Sequence, residues 1–234
     1  MVASTPFLAC LSPGEQARLR VLTEAFLRAK TFEGAADLAV TDAMRVEIAA
    51  QACLLILELG LDWYRGWSGI VLYPGDFRVE HEYTDAAGVA HQFTEVRAGE
   101  AWERGPIVLS WDAASQSTQP TGRASNVILH EFAHKLDMLD GNANGRPPLH
   151  AGMDADAWAR DFADAYDNLH RRLAIGARSA LDPYAASDPA EFFAVISEAF
   201  FIQPAPIREE LPRVYEQLRR FYRQDPVVRL LGRA

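Results

Sequence analysis

A chain of 234 residues with 49% hydrophobic residues carries enough apolar side chain for a proper core, which excludes a disordered chain. Its net charge of -9 offers no basic face to a phosphate backbone, so direct nucleic-acid binding is not expected. The two cysteines, Cys10 and Cys53, stand outside any C-x-x-C pair and indicate neither a disulfide nor a structural zinc knot, and no stretch approaches the ~20 apolar residues of a membrane span.

The opening segment MVASTPFLACLS has no basic region and too short an apolar run for a signal peptide, so the expected compartment is the cytoplasm. Ser12-Pro13-Gly14-Glu15 combines an N-cap serine, a proline at the first helical position and a glutamate at the third, predicting a helix from Pro13 to about Lys30. A second helix is expected from Thr41 to before Gly60, with Met44, Ile48, Ala52 and Leu55 facing inward. From Ser68 the period changes to that of strands: Gly69 to Tyr73, then a hairpin of Phe77 to Tyr83 with Val89 to Val96. His81 and His91 alternate on that hairpin and read as solvated or cross-strand partners rather than ligands. Gly105 to Trp111 is a further strand, expected at a sheet edge where it would align an extended peptide.

Ser125 to Asp140, SNVILHEFAHKLDMLD, holds the chemistry. His130 and His134 have the H-E-x-x-H spacing, one helical turn apart, so both imidazoles leave the same face and can grip one metal ion. Zinc suits two neutral imidazoles, and Glu131 beside them can take a proton from a water that the metal activates. Asp137 shares their face and is a candidate to orient a ligand imidazole. The following loop, Gly141 to Pro148, is a rim or lid candidate; helices are then expected from Met153 to about Gly176, from Asp188 to Ile202 with Pro204 and Pro206 as stops, and from about Leu211 to Tyr222.

A tetrahedral zinc with one water needs a third protein ligand. Asp140 follows His134 by six residues, but the helix pattern continues through Leu139 and Asp137 stands where a glycine-made turn would be needed. Glu191 and Glu198 lie seven residues apart on one face of an otherwise apolar helix, with Glu191 also placed to form a capping box with Asp188 and Glu198 to accept a histidine N–H. Periodicity does not choose among them.

HEFAHKLDMLDG, GPIVLSW, NANGRPP and DPYAASDPAEFFAVISEAFF together resemble the Mlc titration factor A family of bacterial zinc peptidases, from about Pro13 to Tyr222, and the catalytic part of that family is similar to the metalloprotease domain of anthrax lethal factor. The resemblance implies one zinc ion held by His130, His134 and Glu191, Glu131 as general base, and a catalytic tyrosine at Tyr184, seven residues before the third ligand. It also implies aminopeptidase-like hydrolysis of short peptides in the cytoplasm and binding of the glucose-responsive repressor Mlc. The fold expected is α+β and zincin-like, a small mixed sheet (69–111) packed on the HExxH helix between N-terminal helices (13–60) and a metal-binding helical part (122–222), in one domain spanning 1–234. The rival function is a non-catalytic regulator that keeps zinc for structure and sequesters the repressor.

Overall fold

The computed structural model describes residues 5–84, 90–102, 105–116, 125–141 and 143–231, with backbone alone over 78–97. Helix α1 (Pro6–Ala9) leads into α2 (Pro13–Ala29), which starts on the expected capping box: Ser12 Oγ accepts from Glu15 N while Glu15 Oε2 accepts from Ser12 N at 2.8 Å. Strand β1 (Thr31–Gly34), too short and polar to stand out in the sequence, precedes α3 (Asp42–Leu55), capped by Thr41. Five strands follow α3: β2 (Gly69–Tyr73), β3 (Phe77–Thr84), β4 (Ala90–Arg97), β5 (Gly99–Ala101) and β6 (Ile107–Ser110). After β6 come α4 (Trp111–Gln116) and α5 (Val127–Asp137), then α6 (Ala155–Ala174), α7 (Pro189–Ile202), α8 (Pro204–Glu210), α9 (Pro212–Tyr222) and α10 (Pro226–Leu231).

The fold is α+β. One sheet has the order β1-β2-β6-β5, with β1, β2 and β6 parallel and β5 antiparallel to β6; β3 and β4 form a separate antiparallel ribbon. The ribbon pairs the two segments expected to form a hairpin, whereas Val89 and the side chains of His81 and His91 lie outside the described residues. One expectation is corrected: β6 is an interior strand, paired on both sides, and the edge belongs to β5. An apolar run such as IVLS reads the same in either place, and only the pairing partner distinguishes them.

Helix α5 packs against β5 and β6 on one side and against α3 and α7 on the other, so the HExxH turn lies between sheet and helices. Phe132 anchors it, fully buried with its ring centroid 5.7 Å from Phe26, 5.3 Å from Tyr64 and 5.8 Å from Trp67. Burying a side chain of this size stabilises by about 2–3 kcal/mol. Lys30 closes the far end of this cluster, its Nζ donating to the carbonyls of Tyr64 and Trp67 at 2.5 Å each and lying 3.6 Å above the Trp67 ring. Helix α7 ends at Ile202, before Pro204 as expected, but Pro204 and Pro206 do not stay outside a helix: both lie in the first turn of α8, where the missing N–H and fixed φ of proline are tolerated. Among the described residues no helix is long and apolar enough to cross a membrane.

Candidate metal centre

The start of α5 fixes where its histidines point. Asn126 is fully buried at the N-cap: its side chain accepts from Leu129 N at 2.9 Å and donates to Gln51 Oε1 of α3 at 2.7 Å, while its backbone N donates to Glu198 Oε2 of α7 at 2.5 Å. One residue thereby ties the helix that carries both histidines to its two neighbours. The i, i+4 spacing then brings His130 Nε2 and His134 Nε2 to 3.1 Å of one another.

Helix α7 supplies the third group. Asp188 caps it by accepting from Ala190 N at 2.8 Å and Glu191 N at 3.0 Å, which places Glu191 in its first turn. The Glu191 carboxylate does not return to the Asp188 backbone as a capping box would have it; Oε2 lies 2.9 Å from His130 Nε2 and 3.5 Å from His134 Nε2. Asp140 is exposed, at the end of a 3₁₀ turn before left-handed Gly141, and is not one of the residues whose ligand atoms converge here. Among the described residues, His130, His134 and Glu191 are the group that can hold a metal ion.

Two histidine nitrogens facing each other across 3.1 Å can share at most one proton, and Glu191 Oε2 is buried without a well-angled hydrogen bond. An ion between the three atoms would satisfy all of them. A four-coordinate ion with bonds of about 2.0–2.1 Å separates its ligand atoms by about 3.3 Å, and the three observed separations bracket that value. The donor set therefore fits the ion.

Charge around the cluster is arranged by burial and by these contacts. Burial alone would favour a neutral His130 ring, yet the close carboxylates of Glu191 and Glu198 outweigh it and raise its pKa well above the usual value. Burial would raise Glu191, but its close approach to the two imidazoles outweighs this and holds it far below the usual carboxylate range. Glu198 sits deeper on α7 and accepts from His130 Nδ1 at 2.6 Å, the other side of the ring, so it orients the imidazole rather than meeting the ion position. Burial raises the pKa of Glu198.

Glu131 points the other way around α5, toward β5. The residue is 5% exposed, and burial raises its pKa against the lowering effect of the two histidines. A methyl group added to Gly99 would fall 2.4 Å from Glu131 Oε1, so the backbone of β5 rests on this carboxyl. Tyr184, in a 3₁₀ turn over Pro183–Ala186, is half exposed with its ring centroid 6.2 Å from that of His130. A cleft of about 740 Å³ opens over these residues, bounded by β5 on one side and by Met138, Asn144 and Tyr184 on the other.

Asp137 departs from expectation. It is buried beneath the loop after α5, where Oδ2 accepts from Gly145 N at 2.8 Å, and His134 Nδ1 is left without a hydrogen-bond partner among the described residues. Burial, only partly offset by these backbone N–H groups, pushes its pKa up to about 6. Trp158 Nε1 holds the same loop through Gly145 O at 3.2 Å, and Gly145, at φ +77°, lies so close to Pro189 O that a Cβ would meet it at 2.3 Å. The loop is a rim tied to three elements.

Comparison with known proteins agrees with this geometry. Residues 1–223 match the family described as glucose-regulated metallo-peptidase M90. The chain belongs to that family. It is 40% identical over 228 residues to proteins named Mlc titration factor A from Yersinia pestis (strain Pestoides F) and Yersinia pseudotuberculosis serotype O:1b (strain IP 31758), covering 96% of this chain and 83% of each relative. As an M90 metallopeptidase the chain has in His130, His134 and Glu191 a cluster suited to the metal that its family requires. Sequence reasoning overlooked Asn126, Gln51, Gly99 and Lys135 around this cluster. Asn126 had a local signal, an N-cap residue directly before the apolar run; Gln51 had a weaker one, a polar residue on the apolar face of α3.

Proposed function

We propose that this chain is a zinc peptidase of zincin-like build, aminopeptidase-like on short peptides, with one zinc ion per chain held by His130, His134 and Glu191. The observation that carries this reading is the convergence of two imidazole nitrogens and a carboxylate oxygen within 2.9–3.5 Å at the floor of a cleft walled by the edge of a sheet. When bound, zinc supplies a Lewis acid that makes water acidic and polarises the scissile carbonyl.

The remaining steps fall to the protein. Ser110 N donates to Ala98 O and Trp102 N to Pro106 O, so by the alternation of an antiparallel pair Gly99 and Ala101 turn their N–H and C=O groups away from β6. A substrate lying along β5 as an added strand pairs with those groups, which brings its carbonyl beside Glu131. Glu131 takes a proton from the attacking water as the new C–O bond forms and returns it to the leaving nitrogen as the C–N bond breaks, giving an acid and an amine. Burial that raises its pKa suits it to both transfers. The Tyr184 hydroxyl donates to the developing oxyanion, a contribution on the order of a few kcal/mol.

The compartment proposed with this reading is the cytoplasm, as the family resemblance implies. The name Mlc titration factor A supports a second role, binding of an Mlc-type repressor, with the metal serving the fold alone if hydrolysis is absent. Glu131→Gln separates the two: turnover of aminoacyl and short-peptide reporters is expected to disappear while zinc and fold are kept. Cleavage at the parental rate by that variant contradicts the peptidase reading.

A further inference from the structure

Two contacts outside the reacting groups set how β5 stands over α5. The first is Gly99, where the absent side chain leaves the space that Glu131 fills: a Cβ there would lie 2.4 Å from Oε1 and 2.7 Å from Cγ of Glu131, and 2.7 Å from Val127 Cγ2. The second is Lys135, one turn beyond Glu131 on the same face of α5 and only 2% exposed. Its Nζ donates to Trp102 O and, at 3.0 Å, to Gly105 O, the carbonyls at the two ends of the β5–β6 turn. No carboxylate pairs with this ammonium among the described residues; the carbonyls and the face of Trp67, 4.9 Å away, hold it. Burying a lysine on carbonyls alone is expensive compared with an apolar side chain of the same length. What it achieves here is a tie between the strand turn and the helix that bears Glu131, while Gly99 lets the strand descend until backbone meets carboxyl.

We propose that Lys135 and Gly99 are positioning residues: together they hold the free edge of β5 at the height where a peptide paired to Gly99 and Ala101 presents its carbonyl to Glu131 and the metal. The inference rests on the peptidase reading in one respect, that β5 is the strand to which the peptide adds. Neither residue touches the reacting atoms of the substrate, and a merely structural role would appear as lost stability with no change in how peptide and metal binding compare.

Two probes make that comparison on the zinc-loaded full chain. Acetohydroxamate reports the metal alone, whereas alanyl-alanine hydroxamate reports the metal and the strand edge; calorimetry gives the preference for the second over the first. Lys135→Met keeps the length and removes the donor, and it is expected to reduce that preference about tenfold, the equivalent of one or two backbone hydrogen bonds, with zinc content and acetohydroxamate affinity as in the parent. Gly99→Ala is expected to lower kcat by at least about thirtyfold with KM within threefold, because Glu131 must move while the strand edge remains. A preference within twofold of the parent in folded, zinc-loaded Lys135→Met overturns the proposal, as does a parent that shows no preference at all. Should Lys135→Met fail to fold or to hold zinc, Gly99→Ala decides: unchanged kcat overturns it. A parent that binds the peptidyl probe tightly but hydrolyses no peptide sinks the peptidase reading instead, and the binding ratio still decides the positioning role.

Discussion

Replacing Glu198 with alanine removes one carboxylate that serves two buried donors. Oε1 accepts from His130 Nδ1 at 2.6 Å and Oε2 from Asn126 N at 2.5 Å, so the variant frees the imidazole to rotate and leaves the N–H of the α5 N-cap residue unpaired. Loss of a carboxylate that orients a ligand histidine lowers metal affinity by about 10–100-fold. The orphaned donors cost about 1–3 kcal/mol each in fold stability, less whatever water recovers. Glutamine separates the two effects poorly, and that is informative: both partners are donors, so the amide NH2 must face one of them, and Glu198→Gln should fall between parent and Glu198→Ala. Zinc competition against a chromophoric chelator gives the affinity, and thermal melts of the metal-free chain give the stability. The order Glu, Gln, Ala is expected in both measurements. Zinc affinity in Glu198→Ala within threefold of the parent would refute the orienting role, however much stability is lost.

Other expectations follow from the same geometry. Tyr184→Phe is expected to lower kcat by about 100-fold through loss of the oxyanion donor, with zinc content unchanged and KM little altered, as steady-state kinetics on a peptide reporter would show. Burial depresses the Lys30 amine to about 8, so above that pH the folded chain releases this proton while the unfolded chain keeps it up to its ordinary value, and stability from this group rises with pH. Relative to Lys30→Met, the parent should gain about 1.5 kcal/mol between about pH 8 and about pH 9.5 in denaturant melts; a flat or falling difference would show that the amine is not depressed.

The parts legible in the sequence are those set by neighbours along the chain. His130, Glu131 and His134 follow from helical spacing, the α2 start from Ser12, Pro13 and Glu15, and the β3–β4 ribbon from alternation. Glu191 and Glu198 were equivalent by period because both lie on one face of α7. They differ in which nitrogen of His130 each meets, Nε2 or Nδ1, and that depends on how α7 crosses α5. Strand β5 has no β-branched or aromatic residue in Gly99-Glu100-Ala101; its pairing with β6 makes it a strand, so it left no local signal, and the edge role passed wrongly to the more hydrophobic β6. Asp137 shares a helical face with the histidines, yet the backbone N–H of Gly145, brought in by the returning loop, takes its carboxylate instead.

Titration of the metal-free chain with zinc, parent beside Glu191→Ala, tests the centre most directly. The parent should take up one equivalent tightly, and the variant should lose at least about 100-fold in affinity because two imidazoles alone leave the ion short of a protein ligand. One equivalent bound as tightly by Glu191→Ala as by the parent would contradict the assignment of His130, His134 and Glu191 as the metal centre.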